Sequence, residues 1–201
     1  MRCGYCACVK VRRIHEMNRS TDSSSSKSFG LLLNPEHCVV VLIDYLANFS
    51  AGLPAEEAQR FTEVVGLLLK TAEELKIPTI VTARSNRARN DKLINASDSH
   101  GSGEDAIWRE TINPWANDSF RDHIRSCQRN RLILCGMWSD DSVTFAALSA
   151  LEEGFDVYLV VDATRGTSLD IHNTAMARMT QMGTIPISTR QLILEWKGSV
   201  E

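Results

Sequence analysis

Two segments of the chain are apolar at almost every position, and this feature constrains the fold more than any other. Cys38-Val-Val-Val-Leu-Ile runs directly into Asp44, and Arg131-Leu-Ile-Leu-Cys leads into Gly136. A strand with one solvated face alternates apolar and polar residues, whereas a strand buried on both faces is apolar throughout. Strands of the second kind are typical of parallel sheets covered by helices on both sides. The two runs therefore predict the interior of an α/β domain.

Strand-like and helical patterns alternate from Cys38 onward. Strands are predicted at 38–44, 78–83, 107–109, 131–136, 155–161 and 185–188. Helices are predicted at 54–76, 117–127, 142–153 and 169–182, with a further helix at the end of the chain. Strands that alternate with helices in this way predict a doubly wound, six-stranded, mostly parallel sheet in a Rossmann-like three-layer sandwich.

The first 30 residues differ from the rest in composition. Residues 1–28 carry six basic and two acidic side chains, a net charge of +4, which leaves −7 on the remaining chain. This segment has no sustained apolar period and ends in the serine run 23–26, so we predict a disordered extension over 1–30 and one folded domain over 36–197. The arginine-rich composition also permits an organelle-targeting peptide, although Glu16 and Asp22 argue against it.

Several functional classes are excluded by composition. No apolar stretch approaches the ~18 residues of a membrane span, and a body this acidic repels the phosphate backbone of nucleic acids. No secretory signal follows Met1, so we expect a cytoplasmic protein without disulfides, in which Cys38 and Cys135 are core residues. Membrane and nucleic acid are therefore not expected as partners.

Cysteines near the N-terminus raise the question of a metal site. Cys3, Cys6 and Cys8 have the spacing of metal ligands, but a zinc site needs four ligands and nothing nearby completes the set. A flexible tail is the simpler interpretation. We predict neither a metal nor a cofactor.

Polar residues follow the predicted strands at their carboxyl ends, where open α/β sheets bind ligands. Asp44, Arg109 and the turn from Gly136 to Ser142 should meet there in one cleft, beside a long polar loop at 84–104. Simpler explanations stay open on these residues alone. An aspartate after a strand is often a turn residue, and a serine before a helix is often its N-cap.

The strongest motif is Cys135-Gly-Met-Trp-Ser-Asp-Asp-Ser-Val-Thr-Phe-Ala-Ala-Leu-Ser-Ala-Leu-Glu-Glu-Gly-Phe-Asp-Val-Tyr-Leu-Val-Val-Asp-Ala163. Its order of strand, glycine turn, small-residue helix and second strand ending in Asp-Ala resembles the signature of the isochorismatase-like (cysteine hydrolase) superfamily. The resemblance extends over about 36–197. Together with the Ile-Asn-Pro-Trp-Ala-Asn-Asp-Ser-Phe segment within 109–120, it is closest to the YcaC-like branch.

The resemblance implies a catalytic set. Asp44 matches the family's strand-end aspartate, Arg109 matches its basic residue, and Ser142 stands where the family has its nucleophilic cysteine. It also implies an oxyanion hole from the backbone amides of Asp141 and Ser142. A cis peptide is expected between Met137 and Trp138. The metal-binding Asp-x-His-x-x-His set of some relatives is absent from the sequence.

Two further expectations follow from the resemblance. Asn113, Trp115 and Trp138 should line the substrate pocket, although a tryptophan is more often a core residue. YcaC-like proteins form homo-oligomers, so an apolar cluster near the C-terminus is a candidate interface. This cluster consists of Ile187, Leu192, Ile193, Leu194 and Trp196.

Serine at position 142 limits the chemistry. A hydroxyl is much less acidic than a thiol, and an aspartate with a pKa of ~3.9 is too weak a base to activate it. No histidine is expected at a strand end facing Ser142, which disfavours a covalent serine mechanism. This holds for His37, His123 and His172, whereas His100 lies in the long polar loop and stays open as a partner of Ser142.

Two functional hypotheses remain. One is a hydrolase acting on a small amide, imide or vinyl ether, in which Asp44 transfers protons and Arg109 binds a substrate carboxylate with both ends of its guanidinium fork. The other is a catalytically inactive homologue that serves as an oligomeric or ligand-binding protein.

Overall fold

A six-stranded parallel sheet forms the centre of the protein, in a computed structural model that describes residues 30–45, 54–85 and 106–198. Its strand order is β3-β2-β1-β4-β5-β6. Every pair of neighbouring strands is parallel, which confirms the predicted doubly wound α/β fold. The strands are β1 (Cys38–Ile43), β2 (Thr79–Arg84), β3 (Ile107–Arg109), β4 (Arg131–Met137), β5 (Asp156–Arg165) and β6 (Ile185–Ile187).

Helices cover both faces of the sheet. Those in the described residues are α1 (Ala55–Glu74), α2 (Asp118–Ser126), α3 (Thr144–Glu152), α4 (Leu169–Met182) and α5 (Thr189–Gly198). Alternate residues of β1 enter two separate cores, because successive side chains of a strand point to opposite faces. Val40 and Leu42 join the core formed with α1 and α5, whereas Val41 and Ile43 join the core formed with α2, α3 and α4.

Helix ends follow their capping residues. Asn117 accepts a hydrogen bond from the Phe120 amide at 3.0 Å and caps α2. Gly183 ends α4 with φ of 120°. One boundary differs from the prediction, since α3 begins at Thr144 rather than Ser142. The residues before it, Ser139–Val143, form an irregular turn instead.

Three of the five residues of the predicted C-terminal interface are core residues rather than surface residues. Ile187, Leu192 and Trp196 are buried within the protomer, because α5 packs against the same core as α1. Leu194 is exposed and Ile193 is partly exposed, so these two residues are what remains of the predicted contact surface. α5 is therefore mainly a core element of the protomer.

Several sequence predictions lie outside the described residues. They include the N-terminal extension with Cys3, Cys6 and Cys8, and the part of the polar loop from 86 to 104 that contains His100. Within the described ranges, no helix is long and apolar enough to cross a bilayer. In the same ranges, no group of three or more histidine, cysteine or acidic residues is arranged to hold a metal ion.

Candidate active site

Charged residues gather where β3, β2 and β1 reach their carboxyl ends. The sheet register places Arg84 beside Arg109, and Ile43 beside Gly136. Asp44 directly follows Ile43, so it lies between the arginines and the turn that follows β4. The convergence expected from the parallel topology is therefore present in the structure.

Asp44 is buried and held by two short hydrogen bonds. One carboxylate oxygen, Oδ2, accepts from Nη2 of Arg109 at 2.6 Å, and Oδ1 accepts from the backbone amide of Arg84 at 2.6 Å. The residue has φ of 57°, a left-handed conformation in which aspartate is tolerated better than most residues. The backbone turn and the two donors together fix the direction of the carboxylate.

Arg109 uses its guanidinium group to hold this arrangement. In addition to Asp44, it donates from Nη1 to the carbonyl oxygens of Thr111 and, at 3.0 Å, of Ile112. Burial lowers the pKa of Arg109, and the carboxylate of Asp44 opposes this effect. Both Nη groups are thus engaged, and Nε alone has no partner among the described residues. The expected fork-like binding of a substrate carboxylate by Arg109 does not fit this geometry.

The turn after β4 departs from the expected cis geometry. The structure has no cis peptide bond in the described residues, so the bond between Met137 and Trp138 is trans and that expectation is wrong. Trp138 instead adopts φ of 66° and ψ of 65°. This left-handed residue leads from β4 into the irregular turn over Ser139–Val143.

Gly136 allows this turn to lie against the neighbouring strand. A Cβ atom at this position would lie 2.6 Å from the carbonyl oxygen of Ile43 and 2.8 Å from its Cβ. Only a residue without a side chain fits so close to β1. The glycine therefore sets the distance between the turn and the strand that ends in Asp44.

Ser142 is buried in this turn, and its hydrogen-bond partner is a carboxylate. Its hydroxyl donates to Oδ1 of Asp141 at 3.3 Å, while Oδ2 of Asp141 pairs with Nη1 of Arg84 at 3.3 Å. The serine does not cap α3, since the residue at the N-cap position is Val143 and no side chain caps that end. The simple N-cap interpretation of Ser142 is therefore not supported.

The expected oxyanion hole is also altered. The backbone amide of Asp141 donates to the carbonyl oxygen of Trp138 at 2.9 Å. This amide is occupied within the turn, so it is not available to a substrate oxyanion, and the prediction for Asp141 is corrected. The role of the Ser142 amide stays a prediction.

Two residues predicted to line the pocket belong to the scaffold instead. Asn113 accepts from the Trp115 amide and donates to Oγ of Ser149 in α3, both at 3.0 Å. Trp115 is buried and packs edge-on against Phe120, with ring centroids 5.2 Å apart. These contacts fasten the segment after β3 to the core. Trp138 is partly exposed, and its place in a pocket wall stays a prediction.

Sequence reasoning missed two pairs at this edge of the sheet. The Arg84–Asp141 pair could have been found, because Arg84 ends β2 beside the strands that end in Asp44 and Arg109. The second pair joins Nδ1 of His172 in α4 to Oγ of Ser139 at 2.9 Å. No sequence pattern indicates that contact, since it depends on how α4 packs beside the turn.

Comparison with known proteins identifies the class. The family model for the isochorismatase domain matches residues 38–191, and the chain therefore belongs to this family. Within it, the chain is close to YcaC-like hydrolases. The probable hydrolase YcaC of Escherichia coli is 29% identical over 175 residues, which are 84% of this chain and 84% of that protein.

Solved structures agree with this placement. YcaC from Pseudomonas aeruginosa, solved with hexane-2,5-diol and covalent acrylamide, has a TM-score of 0.71 and 27% identity, covering 85% of this chain and 86% of that one. YcaC from Escherichia coli, described as an octameric hydrolase of unknown specificity, has a TM-score of 0.72 and 26% identity, covering 84% and 83% of the two chains.

Proposed function

We propose that this protein hydrolyses a small molecule containing an amide, imide or vinyl ether bond, with Asp44 as the group that transfers protons. The observation that carries the proposal is the buried 2.6 Å pair of Asp44 and Arg109 at the carboxyl edge of the sheet. Removing two charges from water costs several kcal/mol per ion. Buried charged pairs at the ligand-binding edge of an α/β sheet are typical of functional sites.

Arg109 serves in this proposal to direct the carboxylate of Asp44. Each carboxylate oxygen of Asp44 accepts one hydrogen bond, and an ionised carboxylate offers about four acceptor positions. Asp44 can therefore still accept a proton from an attacking water. On a vinyl ether, Asp44 would instead take a proton from solvent and pass it to the substrate, after which water completes the reaction.

Ser142 acts by position rather than as a covalent nucleophile. Its hydroxyl donates to Asp141, which is too weak a base to activate a serine at neutral pH. His172, which contacts this turn from α4, is bonded to Ser139 instead. We therefore propose a route in which water attacks the substrate and the Ser142 hydroxyl helps to orient it.

The same geometry supports a second candidate, a catalytically inactive homologue that binds a ligand. Ser142 replaces the expected nucleophile, the Asp141 amide is occupied, and the Nη groups of Arg109 are engaged. A site assembled in this way can retain a binding pocket after its covalent chemistry is lost.

The two candidates are separated by an assay of small amides, imides and vinyl ethers. Small amides come first, because the Pseudomonas aeruginosa relative was solved with covalent acrylamide. Hydrolysis that is lost in Asp44→Asn and kept in Asp118→Asn supports the proposed function, since the carboxylate of Asp118 pairs with Arg121 at the surface. Thermal unfolding of both variants checks their folding. A full panel without turnover favours the binding protein.

We also propose that the protein is a homo-oligomer, because the Escherichia coli relative is described as octameric. Light scattering at micromolar concentration tests this directly. A single species at the protomer mass of 22.4 kDa would contradict it.

A further inference from the structure

Ser139 connects the turn after β4 to two helices. It is fully buried, and its hydroxyl lies 2.9 Å from Nδ1 of His172 in α4. Its carbonyl oxygen accepts a hydrogen bond from the hydroxyl of Thr144, the first residue of α3. The carbonyl oxygen and the hydroxyl of Ser139 thus both help to hold the turn. The carbonyl bonds to α3, and the hydroxyl bonds to His172 in α4.

The connection between β5 and α4 closes over this contact. A Cβ atom on Gly166 would lie 2.7 Å from Oγ of Ser139 and 3.0 Å from Cα of His172. Next to it, Asp140 accepts from the amide and hydroxyl of Thr167 at 3.1 and 3.2 Å. The histidine and the serine therefore meet in a tightly packed place that excludes larger groups.

We propose that His172 is a positioning residue for the active site. By holding Ser139, it fixes the irregular turn over 139–143 and so determines the surroundings of the side chain at position 142. Asp141 has φ of −125° and ψ of −111°, outside the helical region, so the segment between Ser139 and Ser142 is not held by a regular helix. The contact of His172 in α4 with Ser139 holds this segment in place of a regular helix.

The inference rests on the proposed function only in taking position 142 as part of the site. Its test therefore uses a chemical probe and needs no substrate. In a Ser142→Cys background, the rate of alkylation by iodoacetamide is measured across pH, and peptide mapping isolates residue 142. The profile gives the thiol pKa and the limiting rate, which report the charge around position 142 and its accessibility.

Two substitutions of His172 separate the effect of its hydrogen bond from the effect of its volume. His172→Leu keeps volume and removes the polar atom, whereas His172→Asn retains a polar atom near the place of Nδ1. We expect His172→Leu to change the alkylation rate at fixed pH by about tenfold, equivalent to a shift of one unit in the thiol pKa. We expect the alkylation rate in His172→Asn to stay within about twofold of the rate in its background, because the retained polar atom keeps the contact with Ser139. A twofold change corresponds to only a few tenths of a unit in the thiol pKa.

Controls distinguish this effect from a general loss of stability. His123→Leu removes a surface histidine of α2 whose Nδ1 contacts the carbonyl of Ser119, and should leave alkylation unchanged. Ser139→Ala should reproduce the effect of His172→Leu, and the double variant should add little, as expected for two residues that act through one contact.

The proposal is overturned if alkylation of residue 142 is the same in His172→Leu as in its background, even when the unfolding temperature falls. It is equally overturned if His172→Asn is altered as much as His172→Leu. Failure of the proposed hydrolase function would look different, as an absence of turnover in the substrate panel with this labelling pattern intact.

Discussion

Ser142 donates its hydroxyl to the carboxylate of Asp141 at 3.3 Å, and Arg84 holds the other oxygen of that carboxylate at the same distance. The group at the nucleophile position therefore lies beside a charge pair. A hydroxyl is compatible with this neighbour, because it donates to the carboxylate as a neutral group. A thiolate at the same place would be repelled by Asp141 and attracted by Arg84.

The Asp44–Arg109 pair should be important for stability as well as for chemistry. We expect Arg109→Met to destabilise the protein by about 3–5 kcal/mol, because it leaves the buried carboxylate without its counter-ion. Chemical denaturation monitored by circular dichroism measures this value. The matched control is Arg125→Met, which breaks an exposed pair with Glu153 and should cost no more than about 1 kcal/mol. Equal losses in the two variants would contradict the prediction.

Gly136 offers a second stability test. A Cβ atom 2.6 Å from the Ile43 carbonyl oxygen forces backbone atoms apart, so Gly136→Ala should cost at least the ~1–3 kcal/mol of an overpacked core. Gly198→Ala is the control, since a Cβ atom there meets no atom within 4 Å. Because β1 ends in Asp44, the first variant should also lose hydrolysis of any substrate found. A stable, fully active Gly136→Ala protein would show that the turn adjusts freely.

His172 should contribute to the pH dependence of stability. Burial lowers its pKa from the ordinary 6.5, Arg165 lowers it further, and Asp140 opposes both effects. Between the folded and unfolded pKa values the unfolded chain binds more protons, so stability falls as the pH drops below about 6.5. The free energy of unfolding measured at pH 7.5, 6.5 and 5.5 should decline less in His172→Asn than in the wild type. His123→Asn, at the surface, should retain the wild-type slope.

The fold could be predicted because its evidence is local. The all-apolar runs that form β1 and β4 reflect strands buried on both faces. The amphipathic pattern of the helices between them reflects burial of one helix face. Asp44 and Arg109 could be placed in one cleft for a related reason, since parallel strands bring their carboxyl ends to one edge.

The details of the turn could not be predicted in the same way. The left-handed conformation of Trp138 has no counterpart in the local sequence pattern. The partners of Ser139 and Asp141 come from α4 and β2, which are distant in the chain. Trp115 was predicted to line the pocket, because a tryptophan side chain suits a pocket wall and a core equally well. Only its packing against Phe120 identifies it as a core residue.

The reactivity of a thiol at position 142 tests the electrostatic description of the site. In Ser142→Cys, Arg84 and the start of α3 favour the thiolate, so we expect residue 142 to react with iodoacetamide faster than Cys135, whose pKa burial raises to about 12. It should also react faster than Cys127, whose pKa is raised by burial as well. Peptide mapping after a brief, substoichiometric pulse measures the three rates together.

The contribution of Asp141 can be isolated in the same background. Asp141→Asn removes the negative charge beside the thiol and frees Arg84 to stabilise the thiolate, so alkylation of residue 142 should accelerate by about tenfold for each unit by which its pKa falls. Asp140→Asn is the matched control, because the neighbouring carboxylate bonds to Thr167 instead and should change the rate little. Acceleration by both variants would point to loosening of the whole turn. If residue 142 reacts no faster than Cys127 in any of these proteins, burial at position 142 outweighs the cation and the helix, and the prediction is wrong.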